Sequence, residues 1–396
     1  MSSPRKQAKC RKFFASFFQE RRPYFLFWSP RVTDVPALRA WLVEKSWPFW
    51  LAHGVDWRRG GFFEALDLHD WRCATPFRRL RVVARQIYVF SEAHAAGLAG
   101  AEAAVRLGLA FLENHAVHDE GGYAWRFDLE HRPIDLTRDL YDHAFVLLAL
   151  SSAACVVGTE PVRARAEALM AWVDGAFAHP QGGYLESLPP ALPRRQNPHM
   201  HLLEALLAAY EVFGTQVFLD RAQALTDLFA ARLFDEASGA LPEYFDDTFA
   251  PLRQDGAFLV EPGHHCEWVW LLYRAQALGV RHARLPEIAG RLMDFVDRFG
   301  IDPIFGSLVD VVRSDGRVVE GGTRLWPQTE RLKAEFLRPD ATAAKQREAM
   351  AALAALLRPD GLWHERRGTD GVLHTGPAPA SSLYHLTAGI VTIAGK

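Results

Sequence analysis

Histidine, glutamate and arginine side chains lie at the beginnings of otherwise apolar helical segments in this chain of 396 residues. A histidine can take or give a proton near neutral pH, a carboxylate can assist it, and an arginine stabilises negative charge. His264 and Glu267 are three residues apart, as are His201 and Glu204, so each pair lies on one helical face and can act as a histidine–carboxylate pair. These residue types predict proton transfer on a bound substrate.

Two further histidine motifs have spacings that argue against a metal clamp. His199 and His201 are two residues apart and point in nearly opposite directions on a helix. His264 and His265 cannot both face one pocket, so we expect His264 to face it and His265 to pack in the core. A bound divalent metal ion is an alternative, with imidazole and carboxylate ligands from four residues: His201, His264, Glu267 and His385.

A short phrase, a small residue followed by a large apolar one, recurs six times at intervals of about sixty residues, which is typical of a repeat architecture. An acidic residue usually follows two positions after the large one. The six copies begin at Gly61, Gly122, Gly183, Ala240, Ser307 and Gly361. Two helical segments separate successive copies, so the sequence predicts about twelve helices.

The two helical segments of each repeat differ in polarity. Segment 141–157 has almost no polar face, whereas segment 162–177 mixes charged and apolar residues, so we expect the first kind inside and the second facing water. Inner helices are predicted to begin near Arg79, Arg138, Asn197, Gly263, Thr323 and Ser382. Outer helices are predicted to begin near Gly100, Pro161, Thr215, Arg284 and Ala341, with 34–53 as the sixth.

These elements predict an all-α fold, an (α/α)6 barrel or toroid with short β-hairpins at one end. The clearest hairpins are 308–319 and 362–374, each with an Asp-Gly turn. We expect residues 31–396 to form a single catalytic domain and residues 1–30 to be a flexible basic lead-in. An open α-solenoid is the alternative, but a closed ring needs no capping repeat, and none is evident.

The composition excludes several classes of partner. A formal net charge of −2, with acidic and basic residues mixed, gives no sign of a nucleic-acid or membrane surface. The four cysteines form no CxxC pair, which fits reduced thiols in the cytoplasm and argues against a structural zinc site. The apolar run at 13–18 is too short for a spanning helix, with a membrane-surface anchor as the alternative interpretation.

If every phrase leads into an inner helix, the first turns of the inner helices open into one central pocket. Burying their charged residues costs free energy unless they pair with each other or with a ligand, so a functional pocket explains them. Aromatic faces beside polar groups suit a polyhydroxylated ligand, although core packing is the alternative for each aromatic residue. The candidate pocket residues are Arg85, Asn197, His201, His264, Glu267, Trp268, Trp326, Gln328, Tyr384 and His385.

Five strings in these first turns resemble one enzyme family. They are 85–91 (RQIYVFS), 197–205 (NPHMHLLEA), 261–268 (EPGHHCEW), 326–330 (WPQTE) and 384–385 (YH). In order and helix position they resemble the N-acylglucosamine 2-epimerase superfamily, which includes mannose isomerases, aldose–ketose isomerases and cellobiose 2-epimerases. The resemblance implies an (α/α)6 barrel, a sugar substrate and chemistry without a redox cofactor, and the third string is closer to the mannose isomerase branch.

The resemblance also implies roles for individual residues. Arg85 would contact the sugar oxygens, and His201 would bind substrate. His264 and His385 would be the acid/base histidines, with Glu267 working beside His264. The further substrate-binding candidates are Asn197, Trp326, Gln328, Trp268 and Tyr384.

The predicted reaction is aldose–ketose isomerisation, D-mannose to D-fructose, through a cis-enediolate with His385 as the base. Return of the proton to C2 instead of C1 would make a sugar 2-epimerase with the same residues. An (α/α)6 glycosidase using Asp139 and Asp142 is a second alternative, and a protein-interaction barrel is a third. We expect a monosaccharide or disaccharide substrate and allow for a homodimer, with no cofactor, metal, nucleic acid or membrane partner.

Overall fold

The computed structural model describes residues 34–395, so the predicted lead-in lies outside the described residues. The first helices are α1 (Val35–Trp41) and α2 (Trp47–His53), joined by a π-helical turn, Leu42–Ser46. The inner helices are α3 (Leu80–Ala95), α5 (Leu140–Val157), α7 (Asn197–Phe213), α9 (Pro262–Leu278), α11 (Leu325–Leu337) and α13 (Ala380–Ala394). The outer helices are α4 (Ala101–Asn114), α6 (Thr159–Ala176), α8 (Gln216–Leu228), α10 (Leu285–Phe295) and α12 (Ala343–Ala354).

The inner helices form a closed ring. Each packs against the next inner helix, and α13 packs against both α3 and α1. The segment 34–53 therefore serves as the sixth outer unit, as the sequence predicted, and the described residues form an (α/α)6 barrel. Every predicted helix start lies within two residues of the observed one.

Polarity separates the two layers of helices. The inner helix α5 is long and apolar enough to cross a membrane, but most of it is buried inside the barrel. Its uniform apolar surface reflects contact with helices on all sides, including α3 and α7. The outer helix α6 buries one stripe, represented by Leu169 and Val173, and exposes the opposite face. Glycines with positive φ end two inner helices, Gly214 after α7 and Gly279 after α9.

Short antiparallel strands gather at one end of the ring. They are β1 (Ala65–Leu66), β2 (Phe77–Arg79), β3 (Arg126–Asp128), β4 (Pro133–Asp135), β5 (Arg138–Asp139), β6 (Ser187–Leu188), β7 (Arg194–Arg195), β8 (Tyr244–Phe245), β9 (Leu259–Val260), β10 (Val311–Arg313), β11 (Val318–Glu320), β12 (Thr323–Arg324), β13 (Arg366–Arg367) and β14 (Ala378–Pro379). The strand before an inner helix pairs with the strand that follows the next phrase, as in β2 with β3 and β5 with β6. The pair β1–β14 joins the first repeat to the last, which closes the ring.

The predicted hairpins are only partly right. The pairs β3–β4 and β10–β11 are true hairpins, and the second lies where the 308–319 hairpin was expected. The 362–374 hairpin is reduced to one bridge, Arg367 with Leu373, because β13 pairs instead with β12 of the preceding repeat. Pairing between repeats therefore replaces pairing within a repeat at most phrases.

A buried hydrogen bond fixes each of four phrases to its own inner helix. The backbone N–H of Tyr123 donates to His143 Nε2 at 3.0 Å, and the same bond joins Tyr184 to His199 and Leu241 to His265. In the fifth repeat Leu308 N–H donates to the side-chain oxygen of Gln328 at 3.0 Å. His265 is therefore a packing residue, as predicted.

In the second and third repeats this bond requires glycine at the small position of the phrase, whereas the fourth and fifth repeats form it after Ala240 and Ser307. Gly122 has a φ of +73°, and a Cβ there would lie 2.6 Å from His143 Nε2 and closer still to Trp172. Gly183 has a φ of +70°, and its Cβ would lie 2.9 Å from His199 Nε2. A side chain at either glycine would displace the acceptor histidine, so the bond and the small residue belong together.

We predict that His143→Gln keeps the fold and changes how its stability depends on pH. Burial lowers the pKa of His143 from 6.5 to about 4. Between pH 4 and pH 6.5 this histidine is therefore protonated in the unfolded chain and neutral in the folded chain. Wild-type stability should be unaffected above pH 6.5 and fall by up to about 1.4 kcal/mol per pH unit below it on this account. Urea unfolding at pH 8 and pH 5 should show the Gln variant gaining about 2 kcal/mol relative to wild type on acidification.

The matched variant His143→Leu removes the acceptor and leaves the Tyr123 N–H without its partner. It should be about 1–3 kcal/mol less stable than His143→Gln at both pH values, because a donor would be left unsatisfied. Equal acid sensitivity of wild type and His143→Gln would contradict this account of the histidine.

Candidate active site

The first turns of the inner helices surround a cavity of about 230 Å³ at the strand end of the barrel. Seven of the ten predicted pocket residues line it: Arg85, Asn197, His201, His264, Glu267, Trp326 and His385. Six further residues complete the wall: Tyr141, Glu261, Arg324, Glu365, Ser381 and Ser382. Polar groups from all six inner helices or from the segments just before them therefore reach one space.

One side chain from each inner helix contributes to a closed ring around the barrel axis. The six residues are Arg85, Phe145, His201, Glu267, Glu330 and His385. Successive members lie close to one another: the Arg85 guanidinium is 4.2 Å from the Phe145 ring centre, and His201 Nδ1 is 3.6 Å from Glu267 Oε1. His385 Nε2 lies 3.5 Å from Arg85 Nη2, which closes the ring.

His385 is held by a buried ion pair that the sequence did not predict. Its Nδ1 donates to Glu330 Oε1 at 2.8 Å, and the other oxygen of Glu330 lies 2.7 Å from Lys333 Nζ. Burial lowers the pKa of His385 to about 3, although Glu330 acts in the opposite direction. The ring is therefore neutral near pH 7, and the tautomer assigned from these partners leaves the Nε2 lone pair toward Arg85 and the cavity.

His264 has the opposite charge state. Its Nδ1 donates to Glu243 at 2.9 Å, and although burial disfavours the charged ring, the carboxylates of Glu243 and Glu261 raise the pKa of His264 to about 9. The ring is therefore an imidazolium at neutral pH. Its Nε2 lies 3.1 Å from the amide of Asn197, whose oxygen can accept the second proton once the amide is turned.

The predicted pairing of His264 with Glu267 is wrong. Both side chains line the cavity, but His264 bonds to Glu243, the acid of the preceding phrase. His264 lies in the first turn of α9, beside the phrase, whereas Glu267 is almost a full turn further into the barrel. This distance along the helix leaves His264 nearer to the acid of the phrase than to Glu267.

Glu267 is a buried carboxyl without a hydrogen-bond partner among the described residues. Burial and the neighbouring carboxylate of Glu330 raise its pKa well above the usual value. The neighbouring pair His201–Glu204 forms as predicted, with 3.1 Å between Nδ1 and Oε2.

Arg85 has no carboxylate partner among the described residues. Its guanidinium donates to the Tyr141 hydroxyl at 2.6 Å and packs against the faces of Phe145 and Tyr384. The side chain is 4% exposed. A buried arginine that is not matched by an acid is suited to an anion or a developing negative charge in the cavity.

Three predicted pocket residues belong to the surrounding core. Gln328 is fully buried and bonds to the phrase of its own repeat. Trp268 stacks on Phe229 with ring centres 3.9 Å apart, and the Tyr384 hydroxyl donates to Glu204 below the cavity. Each helix presents only one narrow side to the axis, and these residues lie on other sides of it.

The carboxylates proposed for a glycosidase also lie elsewhere. Asp142 is fully buried and binds the guanidinium of Arg81 through both oxygens. Asp139 caps α5 by accepting from the backbone N–H of Tyr141 at 2.8 Å. Neither lines the cavity, so the arrangement that the glycosidase alternative requires is not formed by these two residues.

Three groups of side chains in this region have donor atoms close enough to share a divalent cation. They are His201–Glu204–Glu267, Glu243–Glu261–His264 and Glu267–Glu330–His385. The four ligands considered for a metal from the sequence are divided among these groups. Protons or cations of the protein already match several of the carboxylates, notably Lys333 at Glu330 and His264 at Glu243.

Comparison with known proteins identifies relatives of the whole barrel. The sequence profile of the N-acylglucosamine 2-epimerase (GlcNAc 2-epimerase) family matches residues 61–389. A mannose-6-phosphate isomerase of Rhizobium meliloti (strain 1021) is 36% identical over 370 residues, 89% of this chain and 95% of that protein. A cellobiose 2-epimerase of Bacteroides fragilis is 23% identical over 301 residues, 71% of this chain and 72% of that protein.

The fold is also found among solved structures. A crystal structure of a D-mannose isomerase superposes with a TM-score of 0.83 at 23% identity and covers 92% of this chain and 99% of that chain. A likeness at this identity establishes the shared (α/α)6 barrel.

We predict that Glu330→Gln is strongly destabilising and that a second change rescues it. The substitution would leave the fully buried Lys333 ammonium without its counter-ion, which costs about 3–5 kcal/mol. In the double variant Glu330→Gln/Lys333→Met both charges are removed, so most of this loss should return. Urea unfolding of wild type, both single variants and the double variant gives the coupling energy directly. A double variant no more stable than Glu330→Gln would show that the ion pair is not the cause.

Proposed function

This chain belongs to the N-acylglucosamine 2-epimerase family, and from that premise we propose that it interconverts an aldose and a ketose, D-mannose and D-fructose, without a cofactor. The chain is an enzyme of the isomerase class. The observation that carries the proposed reaction is that one cavity contains a neutral histidine and a protonated histidine. His385 is neutral and His264 is an imidazolium, and both rings lie beside the indole of Trp326, with centres 5.7 and 4.9 Å away.

The proposed reaction begins with the open-chain aldose. His385 Nε2 takes the proton from C2, the C1=C2 bond forms, and the electron pair of the aldehyde moves to O1. His264 supplies a proton to that oxygen, and Arg85 stabilises the negative charge of the enediolate. His264, now neutral, takes the O2 proton as the C2=O bond forms, and His385 delivers a proton to C1 after exchange with solvent, which gives the ketose. His264, with Glu267 nearby, also serves to open the sugar ring.

The sugar 2-epimerase is the second candidate, since a relative in this family is named a cellobiose 2-epimerase. An epimerase must return the proton to the opposite face of C2, which needs a base on one face and an acid on the other. Here the charged histidine is stabilised by two carboxylates and is a weak donor to carbon, so it is better suited to an oxygen. We therefore place the isomerase first.

Incubation with D-mannose in deuterated water tests the proposed reaction. We expect D-fructose carrying deuterium at C1, detected by NMR, and loss of this product in His385→Ala with the fold retained by circular dichroism. D-glucose without fructose would establish the epimerase instead. Absence of both products and of exchange at C2 would reject the proposed function. The same incubation with mannose 6-phosphate is informative, because the rhizobial relative is named for the phosphorylated sugar.

We predict that Glu243→Gln lowers the upper pH limit of activity. Glu243 favours the charged form of His264, whose pKa of about 9 would then fall toward or below its usual value. The alkaline limb of the kcat/KM profile should move down by about one pH unit or more, because the acid loses its proton earlier. Glu64→Gln is the matched control, since Glu64 occupies the same place in its phrase but bonds to Arg79. An unchanged alkaline limb in Glu243→Gln would contradict the role given to His264.

Cytoplasmic location and a homodimer stay predictions. The described cysteines Cys73 and Cys266 are free thiols, which fits a reducing compartment.

A further inference from the structure

The acid of the repeated phrase has a regular structural task. In four repeats its carboxylate accepts a hydrogen bond from a backbone N–H that lies one or two residues before the inner helix. Glu64 accepts from Arg79 at 2.5 Å, Glu186 from Arg195 at 3.0 Å, Glu243 from Glu261 at 3.2 Å and Asp310 from Arg324 at 2.9 Å. The acid thus satisfies a donor at the start of the helix that follows it. In the second repeat Trp125 takes this position, and Asp139 caps the helix instead.

The sixth repeat keeps the acid but lacks the donor. The bridges Val55–Phe62 and Leu357–Trp363 make Trp363 the counterpart of Phe62, so Glu365, one position later than the sequence pattern indicates, is the counterpart of Glu64. The residue before α13 is Pro379, which has no backbone N–H. Glu365 accepts instead from Ser382 Oγ at 3.0 Å and from Trp363 Nε1 at 3.1 Å. It lines the catalytic cavity, which the acids of the other phrases do not.

The charges around Glu365 differ from those around Arg85 in the same cavity. No arginine or lysine of the described residues forms an ion pair with it; burial raises its pKa to about 7, while the more distant charges of Arg324 and Arg366 act in the opposite direction. The nearest cation of the wall, Arg324, is already matched by Glu261 at 2.7 Å and Asp310 at 3.0 Å. Arg85, by contrast, is a cation of the cavity wall without a carboxylate partner among the described residues.

The position of Glu365 also separates it from the reacting atoms. Its partner Ser382 is three residues, about one turn, before His385 on α13, toward the strand end of the barrel. We place C1 and C2 between His385 and His264, and the other end of the sugar toward Glu365, which lines the same cavity.

We propose that Glu365 contacts the end of the sugar remote from C1, accepts a hydrogen bond from a hydroxyl there, and selects against substrates that carry a negative charge at that end. This inference rests on the proposed function, which fixes where C1 and C2 lie. The unpaired carboxylate repels a phosphoryl group, and the matched Arg324 does not compensate. The acid that other repeats use to cap a helix has thereby become a specificity residue.

The test compares binding of D-mannose and mannose 6-phosphate by calorimetry at pH 8, where Glu365 is ionised, in wild type and Glu365→Gln. Wild type should bind the free sugar more tightly. The variant should bind D-mannose about three- to tenfold more weakly, because a neutral amide oxygen replaces the charged acceptor. Its preference for the uncharged sugar should also shrink by about tenfold or more as the repulsion disappears. Glu64→Gln, the equivalent acid outside the cavity, should leave both affinities unchanged.

The binding readout separates this inference from the proposed reaction. If wild type binds D-mannose but makes no fructose and shows no exchange, the proposed reaction is wrong while the preference still decides the role of Glu365. If Glu365→Gln isomerises D-mannose with wild-type KM and keeps the wild-type preference, the inference is wrong while the reaction stands. Tighter binding of the phosphate by wild type, or binding of neither sugar, would also overturn the inference.

Discussion

A buried hydrogen bond between a phrase and its own inner helix fixes the mouth of this barrel. The donor is a backbone N–H of the phrase, and the acceptor is a side chain one turn into the helix, His143, His199, His265 or Gln328. Because both groups are buried, leaving either unpaired would cost free energy, so the bond sets the depth and rotation of the helix. The ring of side chains around the axis exists because the helices share this depth and rotation.

Two histidines in the cavity have different charge states because their surroundings differ. His385 is neutral because burial outweighs Glu330, while His264 is charged because two carboxylates outweigh burial. In the proposed reaction the same residue type therefore acts as a base at one wall and as an acid at the other, and the partner acids decide which. Lys333 is part of this arrangement, because it keeps Glu330 ionised without approaching the substrate.

The sequence predicted the repeat, the helix starts and most of the cavity wall, because these follow from local periodicity. It missed the partners of the two histidines, since Glu243 and Glu330 are 21 and 55 residues from them. Sequence spacing favours a carboxylate three residues away on the same helix. In a closed ring, however, a carboxylate from another element can lie equally close to the histidine. Glu365 was missed for a different reason. Only Pro379, which has no N–H to donate, shows that this acid does not bind the backbone before its inner helix.

The misplacement of Gln328 has a geometric cause that also accounts for the residues placed correctly. The side chains that hold the phrases are His143, His199, His265 and Gln328, and two residues after each comes a member of the axial ring. Residues two apart on a helix are about 200° apart, so one points to the phrase and the other to the axis. This rule assigns Glu330, and not Gln328, to the axial ring, just as it separates His201 from His199. In the first and sixth repeats the phrase-facing positions are Val83 and Leu383, so Arg85 and His385 are the polar members of their pairs and could be recognised from the sequence alone.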